Sequence, residues 1–453
     1  MPETRARAHP RGEGAGRVRV DASGAGFERG GKPFAPFGCN YYDPRTGWPP
    51  RLWKEFDAAR VERHLEVAAG LGVNAVRVFL TAASFFPDGE RLDPEALAKF
   101  DRLLEIADRL GILVHPTGPD HWEGSPPWRR RDLFADAETL GAQARFWRLF
   151  AERFRGDSRI FAFDLLNEPH VSWGGPAMEA AWRRWAEARG AAPEDAAAPP
   201  DAAEPGSRRV AEYQAFRESL GERWVRVQVE AIRAGGSDHL VTVGLIQWAV
   251  PVLLARPSVY AALRPSKVVK YLDFLSIHFY PLDGDPLASP EGFDRNLAYL
   301  EFALRCVRAA DPGKPVFVGE FGWYGGGRPR GQEERSAEDQ ARWCRAAVLQ
   351  GRGLAAGWLN WAYADTPAST DISRFSGLVS ADGAVKPWGE AFRELARDPE
   401  SWRKPPAKPG GEPFAFRFDA AVAEAASGTR DLRAYFERWK RDRALELDAA
   451  EGP

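Results

Sequence analysis

The chain is poor in the features that mark several protein classes. Only three cysteines occur among 453 residues, Cys39, Cys306 and Cys344. Their spacing suits no metal site and they cannot all pair within one chain, which points to a reducing compartment or to simple burial. No run of 18 apolar residues is present for a membrane span. Met1 to Arg19 carries arginines without an apolar secretory core, so a cytoplasmic location is expected. No large block of one charge appears either: 62 Lys and Arg stand against 64 Asp and Glu, a formal net charge of -2. That excludes the concentrated basic surface that phosphate contacts need, and with it a nucleic-acid partner. The cluster Arg129-Arg130-Arg131 is short and soon followed by acids, as on a solvated surface.

What is present is a rhythm. Eight short runs rich in Val, Ile, Leu and Phe recur: Pro36–Cys39, Ala75–Phe79, Ile112–His115, Ile160–Leu166, Leu240–Gly244, Phe274–His278, Val316–Gly319 and Ala355–Trp361. Most lie about 35 to 50 residues apart, room for strand, loop, helix and return loop. Their apolar density suits strands covered on both faces. Asp57 to Ala69 and Pro94 to Leu110 read as helices between them, the second with Asp93 as cap, a first-turn proline and Gly111 beyond its end. Ala337 to Leu349 is a third. The pattern predicts an α/β chain folded as a (β/α)8 barrel.

The interval after the fourth strand is about twice the usual length. A helix over Ala177 to Arg189 carries Trp182 and Trp185, and Gly190 to Gly206 is an Ala- and Pro-rich surface excursion. The helix either walls part of a cleft or packs peripherally on its own tryptophans. The barrel is expected over residues 20–403, with an insertion over about 171–210. Residues 404–453, including an amphipathic stretch Asp431 to Leu445, are expected to pack on it as an extension too small for its own core.

Two glutamates interrupt the apolar pattern at strand ends: Glu168, closing Ile160 to Asn167, and Glu320, closing Val316 to Gly319. A carboxylate there costs a strand its core pattern. Two of them converging from different strands of one barrel are what hydrolysis of a glycosidic bond requires.

The motifs Gly38-Cys39-Asn40-Tyr41-Tyr42, Arg77, Asn167-Glu168-Pro169, His278-Phe279-Tyr280 and Gly319-Glu320-Phe321-Gly322, each at a strand end, resemble glycoside hydrolase family 5 from about Gly26 to Arg397. The resemblance implies that Glu168 is the acid/base and Glu320 the nucleophile of a retaining β-glycosidase, with carboxyl groups roughly 5 to 5.5 Å apart. Arg77 is the expected partner of Glu320, and Tyr280 a second donor to it. Asn167 would bind the sugar 2-hydroxyl, and Asn40 would support the site. His278 would be a neutral ring in the same shell or a buried structural histidine. Trp361 is the expected sugar platform; Trp358 is its rival, on the opposite face of the strand. His121 and Trp122, in the loop after the third strand, would reach sugar hydroxyls. No metal and no cofactor is needed by this chemistry, and the partner is an oligosaccharide or polysaccharide. Among family members the enlarged loop with Trp173, Trp182 and Trp185 is most similar to exo-acting β-mannosidases on β-1,4-linked manno-oligosaccharides. An endo-acting mannanase or glucanase and a non-catalytic sugar-binding barrel are the alternatives.

Overall fold

In the computed structural model the described residues are 16–46, 51–190, 199–201, 206–250, 256–404, 436–437 and 439–441. A three-stranded antiparallel sheet comes first, β1 (Val18–Val20), β2 (Phe27–Arg29) and β3 (Lys32–Phe34). Eight parallel strands follow: β4 (Phe37–Asn40), β5 (Ala75–Thr81), β6 (Leu113–Asp120), β7 (Ala162–Asn167), β8 (Leu240–Leu245), β9 (Leu275–Phe279), β10 (Val316–Phe321) and β11 (Trp358–Asn360). They pair in sequence order, and β11 closes on β4 to complete the barrel.

Helices cover the barrel wall: α1 (Ala58–Gly70), α2 (Ala82–Phe85), α3 (Pro94–Arg109), α4 (Ala137–Arg153), α5 (Pro176–Glu187), α6 (Arg208–Ala234), α7 (Pro265–Val268), α8 (Pro290–Ala310), α9 (Ala337–Gln350), α10 (Pro387–Arg397) and α11 (Glu400–Arg403). Side-chain caps start the long ones: the Asp57, Asp93, Asp136, Ser207, Ser289 and Ser336 side chains each accept a first-turn amide. The apolar stripe of each helix lies on the outward strand residues. Trp147 of α4, for example, packs on Phe163 of β7 with ring centroids 5.6 Å apart.

The N-terminal hairpin stoppers the barrel floor. Phe27 is fully buried and meets Phe161 and Phe274 edge-on, at 5.3 and 5.2 Å. Phe317 and His115 complete this layer. Burial of each such ring contributes about 1.5–3 kcal/mol.

Two strands differ from the sequence reading. β6 runs on to Asp120 through Pro116 and Pro119, residues that break the apolar pattern and conceal the strand. β11 has only three paired residues; Ala355 to Gly357 lead into it. In the insertion, Trp182 and Trp185 stack at 5.4 Å and lie against Tyr213 and Phe216 of α6. Trp173 meets Tyr213 at 4.9 Å. These tryptophans attach α5 and its approach to α6. Most of the Gly190 to Gly206 excursion lies outside the described residues, as do residues 1–15 and most of 404–453. Of the extension, Phe436 is buried and stacks on Tyr299 of α8 at 4.0 Å, and Trp439 lies 5.5 Å from Phe302. All three cysteines are free and buried. Among the described residues no helix is long and apolar enough to cross a membrane.

Candidate active site

The barrel's C-terminal mouth gathers its polar side chains by local breaks in strand register. Pairing shifts between Val318 and Glu320 on β10, between Asp164 and Asn167 on β7, and between Phe79 and Thr81 on β5. Such irregularities re-aim a side chain at the end of a strand. Glu168 follows β7 with φ +45°, the left-handed region that residues with a Cβ use at a cost of about 1–3 kcal/mol. Its amide donates to Gly244 O at 2.9 Å, which ties the turn to β8.

Arg77, fully buried, is the centre of the arrangement. Its Nη1 donates to Glu320 Oε1 at 2.7 Å and to Asn40 Oδ1 at 3.0 Å. Its Nη2 reaches Asn167 Oδ1 at 3.0 Å, and its Nε donates to Asp164 Oδ2 at 2.8 Å. Asn40 is held in turn, its amide nitrogen donating to Gly319 O and Asn360 O. Tyr280 donates its hydroxyl to Glu320 Oε2 at 2.9 Å, so both oxygens of that carboxylate have donors. Its backbone amide is fixed by Gln247 Oε1 at 2.8 Å. His278 Nδ1 lies 2.9 Å from Glu168 Oε1 and 3.5 Å from Glu320 Oε1. Thus His278 bridges the two glutamates.

The two carboxyl groups are close but unlike. One oxygen of each, with a ring nitrogen of His278, falls within a mutual distance of 4.8 Å. Glu320 is 4% exposed, whereas the Glu168 side chain is 29% exposed toward the mouth. Burial pushes Glu168 up to about 7; Arg77 opposes this and the charge of Asp120 adds to it. Burial also raises Glu320, while Arg77 and the Tyr280 hydroxyl pull it back. With a guanidinium and a phenol in direct contact, Glu320 is the better seat for the negative charge, and the pair's shared proton rests on Glu168. Burial brings His278 down to about 4, so its ring is neutral.

Beside these groups stands an aromatic wall. Trp361 packs with Tyr42 at 5.7 Å, Phe79 at 6.0 Å and Trp122 at 6.1 Å, and its indole nitrogen donates to Ser373 Oγ at 2.9 Å. Tyr280 lies against the same cluster. Trp358 is fully buried on the other face, against Phe321 at 5.0 Å. Trp122 also lies on Phe79 at 4.2 Å. His121 is at the rim, with its side chain 62% exposed and Nδ1 2.9 Å from Asp120 Oδ1 rather than near either glutamate. The loop carrying it is anchored by Glu123, which accepts from the Trp53 amide at 2.8 Å and the Thr81 hydroxyl at 2.5 Å.

Glu168, His278 and Glu320 are near enough to one another to hold a cation by distance alone. Their chemistry argues otherwise: both Glu320 oxygens already have donors and Arg77 supplies positive charge next to them.

Sequence reasoning missed Asp164, the second carboxylate of Arg77. Its signal was a charge inside an otherwise apolar strand, four residues before Glu168. It also missed Gly244. A Cβ there would stand 2.8 Å from Arg77 Nη2 and 2.9 Å from His278 Nε2.

Comparison with known proteins follows the same line. No curated protein matches the sequence at a significant level. Among solved structures, a GH5_18 protein from Streptomyces cattleya in complex with Manβ1-4GlcNAc superposes with a TM-score of 0.67 at 20% identity, covering 91% of this chain and 92% of that one. The exo-β-1,4-mannosidase Op5Man5 from Opitutaceae bacterium strain TAV5 gives a TM-score of 0.62 at 23% identity, covering 83% and 62%. A β-galactosidase from the psychrophilic Marinomonas ef1 gives 0.65 at 17% identity, covering 90% and 68%. At these identities the likeness is one of fold. The cellulase model of glycosyl hydrolase family 5 matches residues 31–366, well over half of the chain. That span takes in both strand-end glutamates with Arg77 and Tyr280, and the chain belongs to glycosyl hydrolase family 5 as a glycoside hydrolase.

Proposed function

We propose that the protein is a retaining, exo-acting β-mannosidase, which removes a terminal β-1,4-linked mannosyl unit from a short oligosaccharide. The observation that carries the retaining mechanism is the closeness of the two unlike carboxyl groups, with oxygens within 4.8 Å. Double displacement works at about 5–5.5 Å between carboxyl groups, whereas inversion needs about 6.5–9.5 Å to admit a water.

In the first step the ionised Glu320 attacks the anomeric carbon from the α face while protonated Glu168 gives its proton to the departing oxygen. The C–O bond to the leaving sugar breaks as the ester bond to Glu320 forms. Arg77 and Tyr280 hold Glu320 in place and moderate its charge as the bond forms. In the second step Glu168, now ionised, takes a proton from water. The water oxygen bonds to the anomeric carbon and Glu320 leaves as a carboxylate. Asn167, held through its Oδ1 by Arg77, has its amide nitrogen available for the 2-hydroxyl, and Trp361 supplies a flat apolar face for the ring.

Mannose as the sugar, and action from the chain end, find support in the structural likeness to the GH5_18 protein complexed with Manβ1-4GlcNAc and to the exo-β-1,4-mannosidase. The test is a product time course on Manβ1-4GlcNAc and on β-1,4-manno- and gluco-oligosaccharides, with anomers followed by NMR. Free β-mannose as the first and sole early monosaccharide is expected. First-formed α-mannose would overturn retention. Early mixed oligomers would overturn exo action in favour of an endo-mannanase or endo-glucanase.

A further inference from the structure

Asp120 ends β6, one strand away from Glu168, and has no part in the double displacement itself. Its level is fixed by register. Thr117 pairs with Asp164 on β7, and Asp120 closes β6 three residues beyond that pair, beside the strand that ends at Asn167 and Glu168. On the other side it pairs with Thr81, just past the irregular step on β5. Inward positions below it are taken by His115 in the floor and Thr117, whose hydroxyl lies 3.4 Å from Arg77 Nη2.

Asp120 is only 2% exposed. Its Oδ1 accepts from the His121 amide at 2.6 Å and lies 2.9 Å from His121 Nδ1. Its Oδ2 has no donor among the described residues. Arg129 feels the charge of Asp120 from a distance, but it donates its Nε to Pro119 O at 3.3 Å. β6, which Asp120 closes, is hydrogen-bonded to β7, which leads into Glu168, so the two carboxylates stand at neighbouring strand ends of the mouth. A carboxylate oxygen accepts hydrogen bonds, so Oδ2 of Asp120 is open to a hydroxyl donor.

We propose that Asp120 receives the 3- and 4-hydroxyls of the sugar bound over the two glutamates, and that it makes a free 4-hydroxyl a condition of binding. This rests on the glycosidase reading. Glu168 serves the oxygen on C1 and Asn167 the hydroxyl on C2, so the next ring carbons present their hydroxyls to a neighbouring strand end. A vicinal diol offers two donors to one carboxylate. A chain continued at O4 has no hydrogen to give there and adds bulk against a buried wall, so cleavage takes place at the terminal unit.

The experiment measures kcat/KM for wild type, Asp120→Asn and Asp120→Ala on the aryl β-glycoside that wild type cleaves best, and on its 3-deoxy and 4-deoxy analogues. Each variant should lose on the order of 10- to 100-fold on the parent substrate, as expected for hydrogen bonds to a charged group. The deoxy analogues should cost wild type a similar factor and cost the Ala variant less than about threefold, the signature of coupled groups. Asp120→Asn should also move the alkaline limb of the pH profile downward, since Arg77, His278 and Glu320 still face Glu168 and only the repelling charge is gone. If Asp120→Ala fails to fold, Asp120→Asn carries every measurement. Wild-type kcat/KM in the variants, or an undiminished deoxy penalty in them, overturns the proposal. A preference for gluco-configured aryl substrates would overturn the mannose assignment alone, because the deoxy comparison proceeds on whichever sugar is cleaved.

Discussion

Arg77 and Asp164 form a fully buried ion pair in which Nε and Nη2 of the arginine both lie 2.8 Å from the same carboxylate oxygen. The other oxygen of Asp164 accepts the Gly244 amide at 2.7 Å. Asp164 therefore sets the orientation from which Arg77 reaches Glu320. Replacing Asp164 with Ala leaves a buried guanidinium with one carboxylate fewer and should cost about 3–5 kcal/mol of stability. Denaturant melts would measure that loss. Asp164→Asn, which keeps the shape, should fold better yet show depressed kcat. Wild-type kcat in the Asn variant would remove Asp164 from any positioning role.

Substituting either strand-end glutamate separates their tasks. Glu168→Ala and Glu320→Ala should both fold and both lose nearly all hydrolysis. Azide should restore turnover to the first as a β-glycosyl azide and to the second as an α-glycosyl azide, since it attacks the sugar ester in one case and the substrate in the other. Exchanged anomers would exchange the two roles.

The raised Glu168 gives a pH signature with a definite sign. Donation to the leaving group requires the protonated form, so kcat/KM should fall as pH rises through about 7. Stability follows the same group. Between its ordinary value of 4.5 and about 7 the folded protein keeps a proton that the unfolded chain has lost. The Glu168 contribution is therefore complete at low pH and is lost as pH rises through this window. The difference in Tm between Glu168→Gln and wild type should grow in the variant's favour from pH 4.5 to 7 and then level off. A constant difference would contradict the raised value.

Gly244 contributes space. Ala at this position would push a methyl against Arg77, His278 and Asp164 together. A displacement of about 1 Å in a catalytic constellation costs on the order of 100-fold in rate. The expected variant is folded, with kcat lowered by about that factor. Unchanged kcat would show that the cluster yields freely.

Much of this was legible in the chain. Periodic apolar runs located all eight barrel strands, because parallel strands covered on both faces must be apolar. The helix start at Pro94 was visible through its aspartate cap and first-turn proline, whereas Asp57, read as part of its helix, is the cap before Ala58. Glu168, Glu320, Arg77 and Tyr280 were conspicuous as polar groups at strand ends. The course of β6 to Asp120 was hidden by its prolines, and with it the level of that aspartate. The register breaks before Asn167 and Glu320 leave no mark in composition, since they depend on how neighbouring strands pair. Trp182 and Trp185 left two readings open for a general reason: a tryptophan near a sugar cleft serves as readily to fasten one helix to another.

Among the described residues, the stopper formed by Phe27 and the rings around it closes the barrel floor, opposite the mouth that holds the two glutamates. Substrate, departing sugar and incoming water must all use the same mouth. In a double displacement the first product therefore has to vacate the doorway before water can reach the sugar ester. Any other hydroxyl compound waiting there competes with water on equal terms of access. The ratio of hydrolysis to sugar transfer should thus follow the concentration of alcohols or free sugars outside, and the traffic at one aperture would govern what the enzyme makes.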